Sequence, residues 1–168
     1  SFEIDGVITG KDAFFRAAKK LEDVKFKGEV NIEKAILSTL NIGANDGLCV
    51  IISDFLTENN WKKAVDYLLY RKKQVMLIQV LSPTEINPAY NGRVQLVDAE
   101  ASHVLDERNI KMKITKSHIE AYKMALADYQ DDIKKFCSSR GVHFLTASSD
   151  DKIEKLIFNK LEQVGTVK

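Results

Sequence analysis

The sequence predicts an α/β protein with a mostly parallel sheet, and three observations carry that prediction. Leu48 to Ile52 is a run of five apolar residues ending in Ser53-Asp54, and Val75 to Leu81 is a second run, closed by Ser82-Pro83. Short apolar runs of this kind read as strands buried on both faces, as at the centre of parallel sheets. Between the two, Trp61, Ala64, Val65, Leu68 and Leu69 recur at helical spacing. Strand, helix and strand in that order predict a right-handed crossover with parallel strands. A third run, Val142 to Ala147, follows a glycine, Gly141, placed where a long helix should end.

The remaining elements follow in order. Ser1 to Ile8 is at most a short extended segment. Thr9, with Asp12 three places on, opens a helix whose core face is Phe14, Ala17, Ala18 and Leu21. Asn31 is a good N-cap for a second helix bearing Ile32, Ala35, Ile36, Thr39 and Leu40. The helix carrying Trp61 begins at Asn59 or Asn60, and Arg71, Lys72 and Lys73 fall in its last turn, where cations suit the negative end of the dipole. Arg93 to Asp98 and His103 to Thr115 alternate like an inserted β-hairpin, with Lys111 and Lys113 on its wet face. Ser117 caps a long helix striped by Ile119, Tyr122, Leu126, Tyr129, Ile133, Phe136 and Cys137. Ser148-Ser149-Asp150-Asp151 starts a last helix facing inward through Ile153, Leu156, Ile157, Leu161 and Val164.

With 168 residues, 45% hydrophobic and 29% charged, the chain suits one soluble domain spanning residues 1–168. Its net charge of +1 supplies no field for nucleic acid. No apolar run reaches the roughly 20 residues of a membrane helix. Cys49 and Cys137 lie on core positions, where free thiols behave as small hydrophobes, so a reducing, cytoplasmic setting is expected. Three parallel strands are few for a doubly wound sheet of this length. The sheet is therefore expected to be incomplete, finished by an oligomer or by strands upstream of Ser1, as in the C-terminal portion of a longer protein.

Chemistry is sparse. The glycines of Asn41 to Gly47 precede a strand, whereas a phosphate loop lies between strand and helix. His103, His118 and His143 have no partners at metal-ligand spacing, and no nucleophile-elbow pattern occurs. Asp150-Asp151 fits a helix start, and Asp131-Asp132 a solvated helix face. Asp54 is the exception. It follows a strand and precedes a helix, so its carboxylate should stand at the carboxyl rim of the sheet, where ligands of open α/β sheets bind. There it can cap the following turn, bind a hard cation or accept a phosphoryl group.

Val50-Ile51-Ile52-Ser53-Asp54-Phe55-Leu56 resembles the hallmark strand and loop of von Willebrand factor A-like domains, in the bacterial branch catalogued as domain of unknown function 58. Gln79 to Glu85 is similar to that branch's strand and proline turn, Leu96 to Glu100 to its hairpin, and Tyr122 to Cys137 to its long helix. The likeness runs from about Gly28 onward. It implies a Rossmann-like, three-layer α/β/α fold and a metal-ion-dependent adhesion site built from Asp-x-Ser-x-Ser, a threonine and an aspartate. Only the aspartate carries over, onto Asp54. Gly28-Glu29-Val30-Asn31 puts a valine at the threonine position, and Asp-x-Ser-x-Ser is absent from the sequence. The resemblance thus implies a degenerate metal site with no cofactor, unless other residues complete it for Mg²⁺. It further implies a non-enzymatic protein-binding adaptor, accessory to a MoxR-type AAA+ ATPase. The alternative is an enzyme, a hydrolase or phosphoryl-accepting domain, using Asp54 at the rim.

Overall fold

A computed structural model describes residues 9–22, 31–38, 47–57, 60–89, 92–96, 110–152 and 154. The elements are α1 (Lys11–Glu22), α2 (Ile32–Ser38), β1 (Gly47–Ser53), α3 (Trp61–Tyr70), β2 (Lys73–Leu81), α4 (Pro83–Ile86), β3 (Gly92–Leu96), β4 (Ile110–Ile114), α5 (Lys116–Ser138) and β5 (His143–Ser148). β1, β2 and β5 form a parallel sheet in that order, while β3 and β4 pair antiparallel as a separate two-stranded sheet. The α/β class, the parallel strands and the inserted hairpin are those the sequence predicts. The N-terminal segment, Thr39, Leu40, the Gly28–Val30 loop and the inward face of the last helix lie outside the described residues.

β2 is the strand whose apolar run means burial on both faces: Val75, Met76, Leu77, Ile78 and Leu81 are all buried. Cys49 and Ile51 stand opposite Val75 and Leu77, and that face packs on α2, α3 and α5 through Ile32, Trp61, Ala64, Val65, Leu68, Ile133 and Cys137. The similar run in β1 behaves differently. Among the described residues β1 pairs on one side only, and Leu48, Val50 and Ile52 are exposed, Ile52 to 66%. Among the described residues β1 thus lies at the edge of the sheet and β2 at its centre, because burial is set by what lies beside a strand as well as by its own residues. Cys49 is half-buried as a result.

Caps and turns account for several element ends. The Asn31 side chain accepts from the Lys34 N–H at 2.8 Å, and Asn60 from the Lys63 N–H at 3.4 Å, so both asparagines cap as predicted. α3 stops at Tyr70, one residue before the predicted basic turn. Arg71 is its C-cap, Lys72 turns the chain with φ +59°, and Lys73 already belongs to β2. The cap of α5 is Thr115 and not Ser117. The Thr115 hydroxyl accepts from the His118 N–H, and His118 Nδ1 accepts from the Thr115 N–H at 3.3 Å, a capping box with histidine in the glutamate position. α1 buries Ala17, but Phe14 is 62% exposed, which removes it from the predicted core face. Along α5, Ile133 and Cys137 are buried while Tyr122 is exposed, so only the C-terminal half of the predicted stripe faces the core. Gly141, at φ +67°, reverses the chain after α5, and the Val142 N–H closes on the Cys137 carbonyl at 3.0 Å.

Arg140 fastens the end of α5 to α3. Its guanidinium lies 3.9 Å from the Phe136 ring centroid and donates to Asp66 at 2.6 Å. Phe55, Trp61 and Phe136 continue inward as two edge-to-face contacts with centroids 5.2 and 5.3 Å apart. This aromatic row ends at the turn that follows β1.

Candidate functional site: the Asp54 turn at the sheet rim

β1 ends at Ser53, and the next residues form a turn built from side chains of three elements. Ser53 Oγ accepts from the Phe55 N–H at 3.1 Å and donates to Asp54 Oδ1 at 3.4 Å. Asp54 Oδ1 also accepts from the Leu56 N–H at 3.0 Å. Aspartate commonly closes a turn on its own backbone two residues ahead. The capping role is thus observed, on the turn itself, while Asn60 caps α3. Asp54 is exposed, and both of these contacts fall on Oδ1.

Phe55 is fully buried and has φ +58°. The left-handed region is uncommon for a large side chain and persists where the surroundings over-determine it. The main-chain carbonyls on both sides are held. Gln79 Nε2 donates to the Asp54 carbonyl at 2.8 Å, and the Tyr129 hydroxyl donates to the Phe55 carbonyl at 2.5 Å. Each donor is held in turn: Gln130 Nε2 donates to Gln79 Oε1 at 2.8 Å, and Trp61 Nε1 donates to the Tyr129 oxygen at 3.4 Å. Gln79, on β2, is wholly buried. Sequence reasoning missed Gln79, Tyr129 and Gln130 as site residues. Gln79 does leave a local signal, a carboxamide in an otherwise apolar strand.

The neighbouring strand ends carry further polar turns. After β2, Ser82 Oγ accepts from the Glu85 N–H at 3.2 Å and the Glu85 carboxylate accepts from the Ser82 N–H at 2.6 Å, a capping box for α4. Partial burial, reinforced by the Glu85 carboxylate, pushes the Tyr122 hydroxyl up from its ordinary pKa. After β5, Asp151 Oδ2 accepts from the Ser148 N–H at 3.1 Å, and the Ser149 N–H donates to the Leu81 carbonyl at 2.9 Å.

The other candidates are placed as follows. Asp131 and Asp132 pair with Lys134 and Lys135 on the exposed face of α5. The hydrogen bond from Lys134 holds the Asp131 carboxyl below the usual range. His118 is the capping residue described above, His143 is exposed in β5, and His103 lies outside the described residues. Cys49 and Cys137 are both free thiols. Burial pushes Cys137 up to about 11, and it raises Cys49 as well, against the pull of Lys73. Mg²⁺ requires a near-octahedral set of hard oxygens. Among the described residues no group of three or more His, Cys, Asp or Glu could hold a metal. Asp54 Oδ1 is engaged by a main-chain donor, and one carboxylate does not by itself supply the oxygen set that Mg²⁺ requires. Nor is any helix among them long and apolar enough to cross a membrane.

Comparison with known proteins adds a family. The model described as "Protein of unknown function DUF58" matches residues 7–128. "Uncharacterized protein MAV169" of Mycobacterium avium is 32% identical over 104 residues, which are 62% of this chain and 58% of that protein. The match thus spans less than two thirds of that relative's length. No solved structure matches the chain. The family match covers most of the sequence and includes the whole Asp54 turn, and on that basis the chain belongs to the DUF58 family of proteins of unknown function.

Proposed function

We propose that this chain is a von Willebrand factor A-like, non-enzymatic module that binds a protein partner through the rim around Asp54, in the cytoplasm, as an accessory of a MoxR-type AAA+ ATPase. One observation carries the reading: the exposed Asp54 carboxylate stands at the end of β1 on a turn fixed from two other elements, β2 and α5. A rigid, solvent-facing charge suits recognition, since little ordering is left to be lost on binding. The rim also exposes apolar surface, Leu56 beside Asp54 and Ile86 after β2. Protein interfaces combine an apolar core with a polar rim, and this surface offers both kinds of group. The ATPase partner is what the family resemblance implies.

Affinity purification of the complete gene product from its native cells, followed by mass spectrometry, tests the reading. An AAA+ ATPase should be enriched over a mock purification. Its consistent absence would refute the accessory role and bring forward the phosphoryl-accepting alternative, which predicts labelling of Asp54 by acetyl phosphate.

A further inference from the structure

Gln79 is a buried polar residue in a strand that is otherwise apolar from Val75 to Leu81. A methionine or leucine of similar volume would pack there with no hydrogen bonds to satisfy, so a carboxamide at this depth calls for a reason. The register supplies one. Gln79 stands opposite Ser53, the last paired residue of β1. The next carbonyl, that of Asp54, lies beyond the paired stretch, and Gln79 Nε2 donates to it at 2.8 Å. The side chain therefore carries the β1–β2 bonding one step past the end of the backbone ladder. The Asp54 carbonyl settles which way round the amide sits: it can only accept, so the Gln79 nitrogen faces it and Gln79 Oε1 is left to accept from Gln130 Nε2.

The geometry points to Gln79 as a positioning residue for the Asp54 carboxylate, acting through the Asp54 carbonyl and clamped from behind by Gln130. This inference rests on the reading of Asp54 as a contact for a protein partner. Fixing the Asp54 carbonyl helps to hold Phe55 at φ +58°, and that conformation presents the Leu56 N–H to Asp54 Oδ1 at 3.0 Å. When the Gln79 donor is lost, Phe55 relaxes toward ordinary φ, the Leu56 donor swings away, and the carboxylate loses its fixed direction. Gln79 itself is buried and meets no partner.

The test uses the complete gene product and the Gln79→Met, Asp54→Ala and double variants. Hydrogen exchange is read by mass spectrometry, and binding by capture of the purified AAA+ ATPase. In Gln79→Met, exchange should rise locally at residues 54–57 and stay slow at residues 75–81. Capture should weaken by about tenfold, and the double variant should bind no worse than Asp54→Ala, since both changes act through one carboxylate. Unchanged exchange at residues 54–57 overturns the positioning role. An equal rise across residues 75–81 also overturns it, because Gln79 would then be a general packing residue. Losses of binding that multiply in the double variant do the same. If exchange rises locally but neither Gln79→Met nor Asp54→Ala alters capture, the partner reading fails while the positioning of the carboxylate stands. Should Gln79→Met not fold, Gln130→Met releases the clamp from the half-buried side of α5, and the same outcomes decide.

Discussion

The Tyr129 hydroxyl donates to the Phe55 carbonyl across 74 residues of sequence, joining the middle of α5 to the turn after β1 at 2.5 Å. The same oxygen accepts from Trp61 Nε1, so one phenol ties together α5, the β1 turn and the first residue of α3. Tyr129→Phe keeps the ring and removes both contacts, leaving a carbonyl and an indole N–H without their partner. A loss of about 1–3 kcal/mol is expected in urea or guanidinium unfolding. A change below a few tenths would mean that the bond contributes little to holding the turn.

Asp54 should behave as a turn residue for stability and as a charge for binding. Asp54→Ala removes the acceptor for the Leu56 N–H and should cost about 0.5–2 kcal/mol, as loss of a cap does. Asp54→Asn keeps an oxygen in the same place and should cost only a few tenths. A melting comparison of the two variants separates the hydrogen bond from the charge.

The unequal burial of β1 and β2 predicts opposite responses to substitution in two runs that look alike in sequence. Leu77→Ala, in a fully buried site of β2, should cost about 2–5 kcal/mol. Ile52→Lys, on the exposed face of β1, should change the stability of the 168-residue chain by no more than about 0.5 kcal/mol. It should also reduce self-association, since lysine on an edge strand discourages pairing with another chain. A large loss from Ile52→Lys would place a covering element over β1.

Those two runs show what is legible in a sequence and what is not. The strand, helix, strand order and the hairpin follow from periodicity, and Asn31 and Asn60 announce their helices because asparagine caps locally. Whether a run such as Leu48 to Ile52 lies at the centre or the edge depends on neighbours distant in the chain, which periodicity does not encode. The capping box of α5 is not legible in the sequence because histidine replaces the usual glutamate at its third position. Asp54 was legible as a strand-end carboxylate. The donors that hold its turn were not, since Gln79 and Tyr129 reach it from 25 and 74 residues away.

Cys137 gives the fold a pH dependence of definite sign. Its thiol is raised from 9.0 to about 11 by burial, so the folded chain holds the proton more tightly than the unfolded chain. The resulting stability is complete below pH 9 and is lost as pH rises toward about 11. Unfolding free energy should fall across that window in the wild type and fall less in Cys137→Ala. At neutral pH, Cys137 should resist alkylation by iodoacetamide until the protein is unfolded.

The central claim, that the Asp54 rim is where a partner ATPase docks, is tested most directly by parallel captures with the wild type and Asp54→Ala from the same native cells, each quantified by mass spectrometry. The account predicts an AAA+ ATPase enriched with the wild type and reduced about tenfold or more with Asp54→Ala, with Asp54→Asn in between. Equal enrichment by wild type and Asp54→Ala, with both proteins folded, would contradict it.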